Sequence, residues 1–202
     1  MVRAAFVLAA FGWGCGFYGP PIFVHAVQAR TGWSLALVSW AVTLHHLAAA
    51  LLVLRMPLLH ARWGLAAVAS GGMVAGAIGI LGWSWAGEPW QLMLAAMVSG
   101  CGWGCTGAAA VTAAIAAWYR TRRASALTTA YNGASVGGAL FSVGWSTLIA
   151  TLGFTTAALV LGSAAVFAVA GLCWFVLRWT PQRLGQFFYS RLREGNSRHE
   201  QE

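Results

Sequence analysis

Few side chains in this sequence could carry proton or ligand chemistry, and most of them sit inside long apolar runs. His25, His45 and His46 are the titratable candidates there. An ionisable residue surrounded by hydrocarbon is costly to bury, so each is a functional candidate by default. His25 falls near the end of its run, where reaching the interface is explanation enough. His45 and His46 are adjacent, so on a helix they point about 100° apart and at most one faces a given cavity. One of the two is expected to touch a substrate or a proton; the opposing reading is a histidine satisfied by packing. There is no Asp, and the four acids, Glu88, Glu194, Glu200 and Glu202, all lie outside the apolar runs. Histidine is therefore the group through which proton coupling could work.

Other chemistries are excluded by what is missing. Cys15, Cys101, Cys105 and Cys173 all lie within apolar runs. Cys101 and Cys105 share a helix face, but no further ligand stands at suitable spacing, so neither a metal site nor a disulfide is expected. Gly12-Trp-Gly14 superficially resembles a phosphate loop, but it has no preceding strand. With no hydrolytic triad and no nucleotide loop, no enzyme and no cofactor are expected. The formal charge of +8 comes from 12 basic residues, all Arg, which fall between or after the apolar runs. That distribution is topological and does not form a nucleic-acid-binding face.

The elements that must position these residues follow from the runs. The 202 residues are 59% hydrophobic and 8% charged, against about a quarter charged in soluble domains. Six runs of roughly the 20 residues that a bilayer requires are expected as helices at 4–28, 35–56, 65–86, 90–118, 124–150 and 155–177. Gly16, Gly19, Pro20 and Pro21 interrupt the first, and Ser34 is placed to cap the second. The division is thus a bundle over 1–178 and a basic tail over 179–202. An even number of crossings puts both termini on one side. With the termini inside, eleven arginines are inside and Arg30 alone is outside, so both termini are expected in the cytoplasm of a multi-pass cell-membrane protein. Arg120, Arg122 and Arg123 form the densest part of that signal.

Three glycine pairs, Gly12/Gly16, Gly100/Gly104 and Gly133/Gly137, have the four-residue spacing that lets helix backbones approach closely in lipid. Most tryptophans, including Trp33, Trp83, Trp85, Trp90, Trp118 and Trp179, lie near helix ends and read as interfacial anchors. Trp13, Trp40, Trp103 and Trp145 are deeper and could line a cavity or pack. The tetrapeptide Gly-Trp-Gly-Cys occurs twice, at Gly12–Cys15 and Gly102–Cys105. In a chain this rich in Gly and Trp, only its placement in the first and fourth runs is notable.

Three places carry a family resemblance. They are Tyr18-Gly19 with Gly32-Trp33-Ser34; Ala117-Trp-Tyr-Arg120 with Arg122-Arg-Ala-Ser-Ala126 and Gly133, Gly137 and Gly138; and Pro181-Gln-Arg-Leu-Gly185. Over about residues 4–186 the chain resembles the amino-terminal half of a major facilitator superfamily transporter, most closely its oxalate/formate and monocarboxylate branch. The resemblance implies an all-α membrane fold of two inverted three-helix repeats, half of a twelve-helix transporter with substrate bound between the halves. It implies a small organic anion as substrate, recognised by Tyr18, Thr106, Tyr131 and Asn132 on cavity-facing helices, together with one of His45 and His46. It implies gating at Arg62, Gly64, Arg120 and Arg123. It also implies a second six-helix half as partner, as a homodimer or a separate chain.

The departures are specific. At the family's Gly-x-x-x-Asp-Arg-x-Gly signature, Arg62 and Gly64 match, but Pro57 replaces the first Gly and Ala61 the Asp. Gly138 stands where an antiporter motif expects Pro, so no antiport is implied. Two functions follow: transport of a small organic anion by a half-transporter or truncated form that needs a second six-helix half, or a non-transporting six-helix membrane subunit or assembly partner that kept only the fold.

Overall fold

The structure, a computed structural model, describes residues 1–119 and 121–179. Arg120 and residues 180–202, with most of the basic tail, lie outside the described residues. Every regular element among the described residues is helical. Six segments are long and apolar enough to cross a membrane: Val2–Thr31, Leu35–Val53, Met56–Trp85, Pro89–Ala116, Arg123–Leu152 and Phe154–Leu177. We number these spans 1 to 6. In lipid every backbone polar group needs a partner within the protein, which is why the spans are helical and why any break in them must be compensated.

Two spans are broken. Span 1 is α1 (Val2–Gly16) followed by α2 (Gly19–Thr31). Span 4 is α5 (Pro89–Thr106) followed by α6 (Ala108–Ala116), interrupted at Gly107 with ψ −147°; the sequence reading had 90–118 as one helix. Spans 2, 3 and 5 are α3 (Leu35–Val53), α4 (Met56–Trp85) and α7 (Arg123–Leu152). Span 6 is α8 (Phe154–Leu172), which ends in a π-helical turn at Cys173–Leu177. Residues 56–63, ahead of the expected start at 65, are helical too and join the spanning part of α4 at Gly64. Pro57 sits in its first turn, where its missing N–H is harmless, so the connector is itself helical. Gly64, at φ 80° and ψ 158°, then kinks the chain in a backbone region that favours glycine.

Local signals set the helix ends. The Leu37 amide donates to Ser34 Oγ at 3.3 Å, capping α3. Glu88 and Gln91 form a reciprocal capping box at the start of α5. On that same face, Arg30 donates to the Ala86 carbonyl at 2.7 Å. A guanidinium at the end of α4 satisfies a terminal carbonyl and complements the helix dipole.

The major helix contacts run between the two three-helix repeats. Span 1 packs along span 5, and span 4 packs along span 2, the equivalent pairs if spans 1–3 match spans 4–6. Glycine makes both crossings. A Cβ on Gly133 or Gly137 would run into the carbonyls of Phe6 or Ala10; one on Gly100 or Gly104 would meet those of His45 or Ala49. Each pair therefore rides on two carbonyls four residues apart on its partner helix. Large apolar side chains such as Trp40, Leu140, Phe167 and Phe175 face outward, as a surface solvated by lipid requires.

Gly137→Ala should lower the thermal midpoint of the protein in mild detergent, by an amount matching about 1–3 kcal/mol of overpacking. Gly171→Ala, where nothing lies within 4 Å, should leave it unchanged or raise it. Equal effects at the two positions would contradict the close-approach account.

Candidate functional site

The break in span 1 follows from its prolines. In an unbroken helix the carbonyls of Gly16 and Phe17 would accept from residues 20 and 21, but Pro20 and Pro21 have no N–H. The amides of Phe17 and Tyr18 both fold back onto the Trp13 carbonyl, at 3.0 and 2.9 Å, so Tyr18 bypasses Gly14. Gly14 and Gly16 are therefore left with carbonyls lacking their ordinary helical donors, deep in a bilayer protein.

Two side chains from other spans fill the gap. His45 Nε2 lies 2.8 Å from the Gly16 carbonyl, and Trp145 Nε1 donates to the Gly14 carbonyl at 3.2 Å. A carbonyl can only accept, so Nε2 of His45 carries a proton. Nδ1 of the same ring lies 2.8 Å from Ser99 Oγ; that hydroxyl accepts from Trp83 Nε1 at 3.1 Å and lies 3.0 Å from the Ala96 carbonyl, to which it can donate. His45, Ser99, Trp83 and Trp145 are all buried. Trp83, which the sequence suggested as an interfacial anchor, is fully enclosed because its indole N–H completes this network. The adjoining cavity, bordered by Gly12, Cys15, His45, Ser99 and Thr106, has a volume of about 20 Å³, room for one water and too little for an organic ligand.

The other candidates separate into two groups. Thr106 is buried and its hydroxyl donates back to the Gly102 carbonyl of its own helix at 3.0 Å. Tyr131 donates to the Ala108 carbonyl at 3.2 Å, just past the break in span 4, and its oxygen lies 3.0 Å from Thr112 Oγ1. Tyr131, like His45, thus ties a neighbouring span to a broken one. Tyr18 and His46 are different. Tyr18 lies at the break itself, its ring against Gly138 of span 5, and among the described residues its hydroxyl has no hydrogen-bond partner. His46 is half-buried, with Nδ1 2.9 Å from the Val42 carbonyl of its own helix. Asn132 is exposed on span 5 and makes no hydrogen bond among the described residues.

An aromatic surface joins Tyr18, His46 and Tyr131. Trp13 meets Trp103 edge-to-face at 4.7 Å and Tyr131 at 5.7 Å. Phe17 packs against Tyr18 at 5.1 Å, His46 at 5.9 Å and Trp103 at 6.3 Å. Phe17 itself is 45% exposed. Spans 1, 2, 4 and 5 thus contribute to one wall beside both helix breaks. Trp13 and Trp103 are the tryptophans of the two Gly-Trp-Gly-Cys copies, and each copy ends two residues before its break, at Phe17 and Gly107. Gly16 makes the ring contacts possible, since a Cβ there would lie 2.7 Å from the Trp103 ring. Phe17 carried no sequence signal beyond its place next to the prolines. Ser99 carried none at all.

The gating candidates lie elsewhere. Arg62 is exposed, its guanidinium 5.7 Å from the Trp63 ring centroid, and Gly64 is the kink of span 3. Arg123 begins α7 and is exposed.

Six apolar spans, broken helices whose carbonyls are satisfied from neighbouring spans, and a partly exposed wall of aromatic and hydroxyl groups define a multi-pass membrane protein of the transporter type. The family model of the Major Facilitator Superfamily matches residues 4–193, and the chain belongs to that superfamily, whose work is membrane transport. No curated protein matches the chain.

His45→Leu should destabilise the protein, because it leaves the buried Gly16 carbonyl without its donor at a cost of about 1–3 kcal/mol. Trp145→Phe should act in the same direction through Gly14. His46→Leu loses only a bond to its own helix and should cost far less. Thermal unfolding of the three variants in nanodiscs checks this; a His46 variant as unstable as the His45 variant would refute the assignment.

Proposed function

We propose that the chain is a six-helix half of a secondary transporter for a small organic anion of the monocarboxylate or dicarboxylate type. It belongs, on this reading, to the oxalate/formate and monocarboxylate branch. The observation that carries the reading is the wall of Trp13, Phe17, Tyr18, His46, Trp103 and Tyr131. Aromatic edges carry positive partial charge and Tyr18 has a hydroxyl to donate, so the wall suits a small carboxylate with a compact apolar body. The cavity beside His45 is too small to serve, so the ligand meets the bundle at its surface. A surface wall encloses a ligand only when a second six-helix bundle closes over it. Alternating access by rocking likewise needs two bundles. The ligand's remaining charge is then met partly from the second half. The arginine distribution favours both termini in the cytoplasm of a cell-membrane protein, which puts the kink at Gly64 and the Arg122–Arg123 connector on the cytoplasmic face.

A second reading is a membrane subunit that retained the fold without transport. It is favoured by Ala61, which leaves Arg62 stacked on Trp63 where the family pattern places an acid. On that reading Ala61→Asp combined with Pro57→Gly changes no measurable activity.

For the transport reading, formate, acetate, lactate and oxalate are tested one by one against the purified protein in nanodiscs. At least one should raise the thermal midpoint in a concentration-dependent way, as a ligand that binds only the folded state must. Tyr18→Phe should reduce that rise without altering the midpoint of the ligand-free protein. If none of the four anions shifts the midpoint of a preparation in which two bundles are paired in the nanodisc, the anion reading fails.

A further inference from the structure

Three span ends meet on one side of the bundle, and aromatic residues crowd there. A groove of about 470 Å³ lies where the chain leaves spans 4 and 6, bordered by Met1, Trp118, Tyr119, Phe175, Val176 and Trp179. Trp118 and Trp179 are two of the tryptophans that the sequence marks as interfacial. Among the described residues their indole N–H groups and the Tyr119 hydroxyl have no hydrogen-bond partner.

Span 6 gives the groove a charged rim through its π-helical turn. The Arg178 amide donates to the Cys173 carbonyl at 3.0 Å, five residues back instead of four. That wider turn brings residues five apart onto one face, so Trp174 and Trp179 both stand beside Arg178. The Arg178 guanidinium lies 4.7 Å from the Trp174 ring centroid and 4.9 Å from that of Trp179. Stacking fixes the guanidinium plane and leaves its N–H edge free to donate. Glu88 is the one carboxylate among the described residues, and it stands at the opposite end of span 4. Arg178 therefore has no counter-ion among them. Arg122 and Arg123, exposed in the connector after Tyr119, and Arg3, exposed in the first turn of span 1, add charge of the same sign.

We propose that this groove binds one anionic phospholipid, with the phosphate at Arg178 and an acyl chain along Phe175 and Val176. Three features select that occupant. The rim carries only positive charge, which complements a phosphate group. An arginine edge takes two phosphate oxygens at once, and the indole and phenol donors suit others. Phe175 is 74% exposed on the surface that lipid solvates, so a chain lying on it continues into the bilayer. A groove of this size takes a headgroup and the upper part of one chain, and the rest of the lipid stays among its neighbours. The site shares no residue with the aromatic wall and does not depend on the anion reading. Arg62 offers the contrast, since its guanidinium stacks on the Trp63 ring alone, at 5.7 Å.

The test uses the full chain in mild detergent, with native mass spectrometry reading the lipid retained as phosphatidylglycerol or phosphatidylcholine of matched chains is added. The first phosphatidylglycerol should bind at least about fivefold more tightly than phosphatidylcholine. Arg178→Gln should remove that preference, and Trp174→Leu, which unstacks the charge without deleting it, should reduce it. Both side chains are exposed, so neither variant opens the core. Phe175→Ser should weaken the two lipids alike, because it touches only the chain. Arg62→Gln should leave the preference as it was. Equal retention of the two lipids overturns the proposal. So does a loss in Arg62→Gln as large as that in Arg178→Gln, the mark of diffuse attraction to any surface arginine. Displacement of phosphatidylglycerol by an equal concentration of glycerol 3-phosphate also overturns it, because the groove would then hold a free phosphate and not a lipid.

Discussion

The interaction on which the rest of the bundle depends is the repair of the broken backbone in span 1. Pro20 and Pro21 remove two donors from the middle of a membrane helix, and the carbonyls that lose partners cannot turn to water. His45 from span 2 serves the Gly16 carbonyl that Pro20 leaves open, and Trp145 from span 5 serves the Gly14 carbonyl that the Tyr18 amide bypasses. That requirement fixes how spans 2 and 5 sit against span 1, and Ser99 and Trp83 extend it to spans 3 and 4. A local defect in one helix thus becomes a cross-link among five spans.

The glycine crossings make the repair geometrically possible. For His45 to reach across to Gly16 while Ser99 reaches Nδ1, spans 2 and 4 must come close, and Gly100 sits where the His45 carbonyl allows no Cβ. Gly133 and Gly137 do the same for span 5 on span 1, bringing Trp145 within reach of Gly14. Without a hydrophobic force between helices in lipid, such close backbone contact supplies the packing energy. The same approach leaves the core beside His45 with space for little more than a water. On the reading proposed above, a ligand would then meet the aromatic wall at the edge of the bundle.

The two broken spans also give the internal repeat a physical meaning. Gly-Trp-Gly-Cys stands at the same distance before each break, and its two tryptophans meet edge-to-face. The glycines allow close approach and the indoles fill the space where the two broken helices pass. The breaks are satisfied differently: Tyr131 reaches Ala108 beyond the second, while His45 and Trp145 serve the first. The repeat is one of placement more than of detailed bonding.

Much of the fold was written in the sequence. Apolar run length determines that a segment spans a bilayer, so six spans and an all-helical architecture follow from composition alone. Four-residue glycine spacing marks where backbones can meet, and Pro20–Pro21 marks the break. The sequence could not say which partner a residue meets, because a hydrogen bond between spans joins positions far apart in the chain: His45 and Ser99 are 54 residues apart, Gly14 and Trp145 131. Nor could it divide the polar candidates. His45, Thr106 and Tyr131 have hydrogens engaged by backbone carbonyls, whereas Tyr18 and His46 each keep a polar atom without a partner among the described residues. Two adjacent histidines of one type were separated only by which way each ring turned, and that is decided by the carbonyl each one faces in the folded bundle.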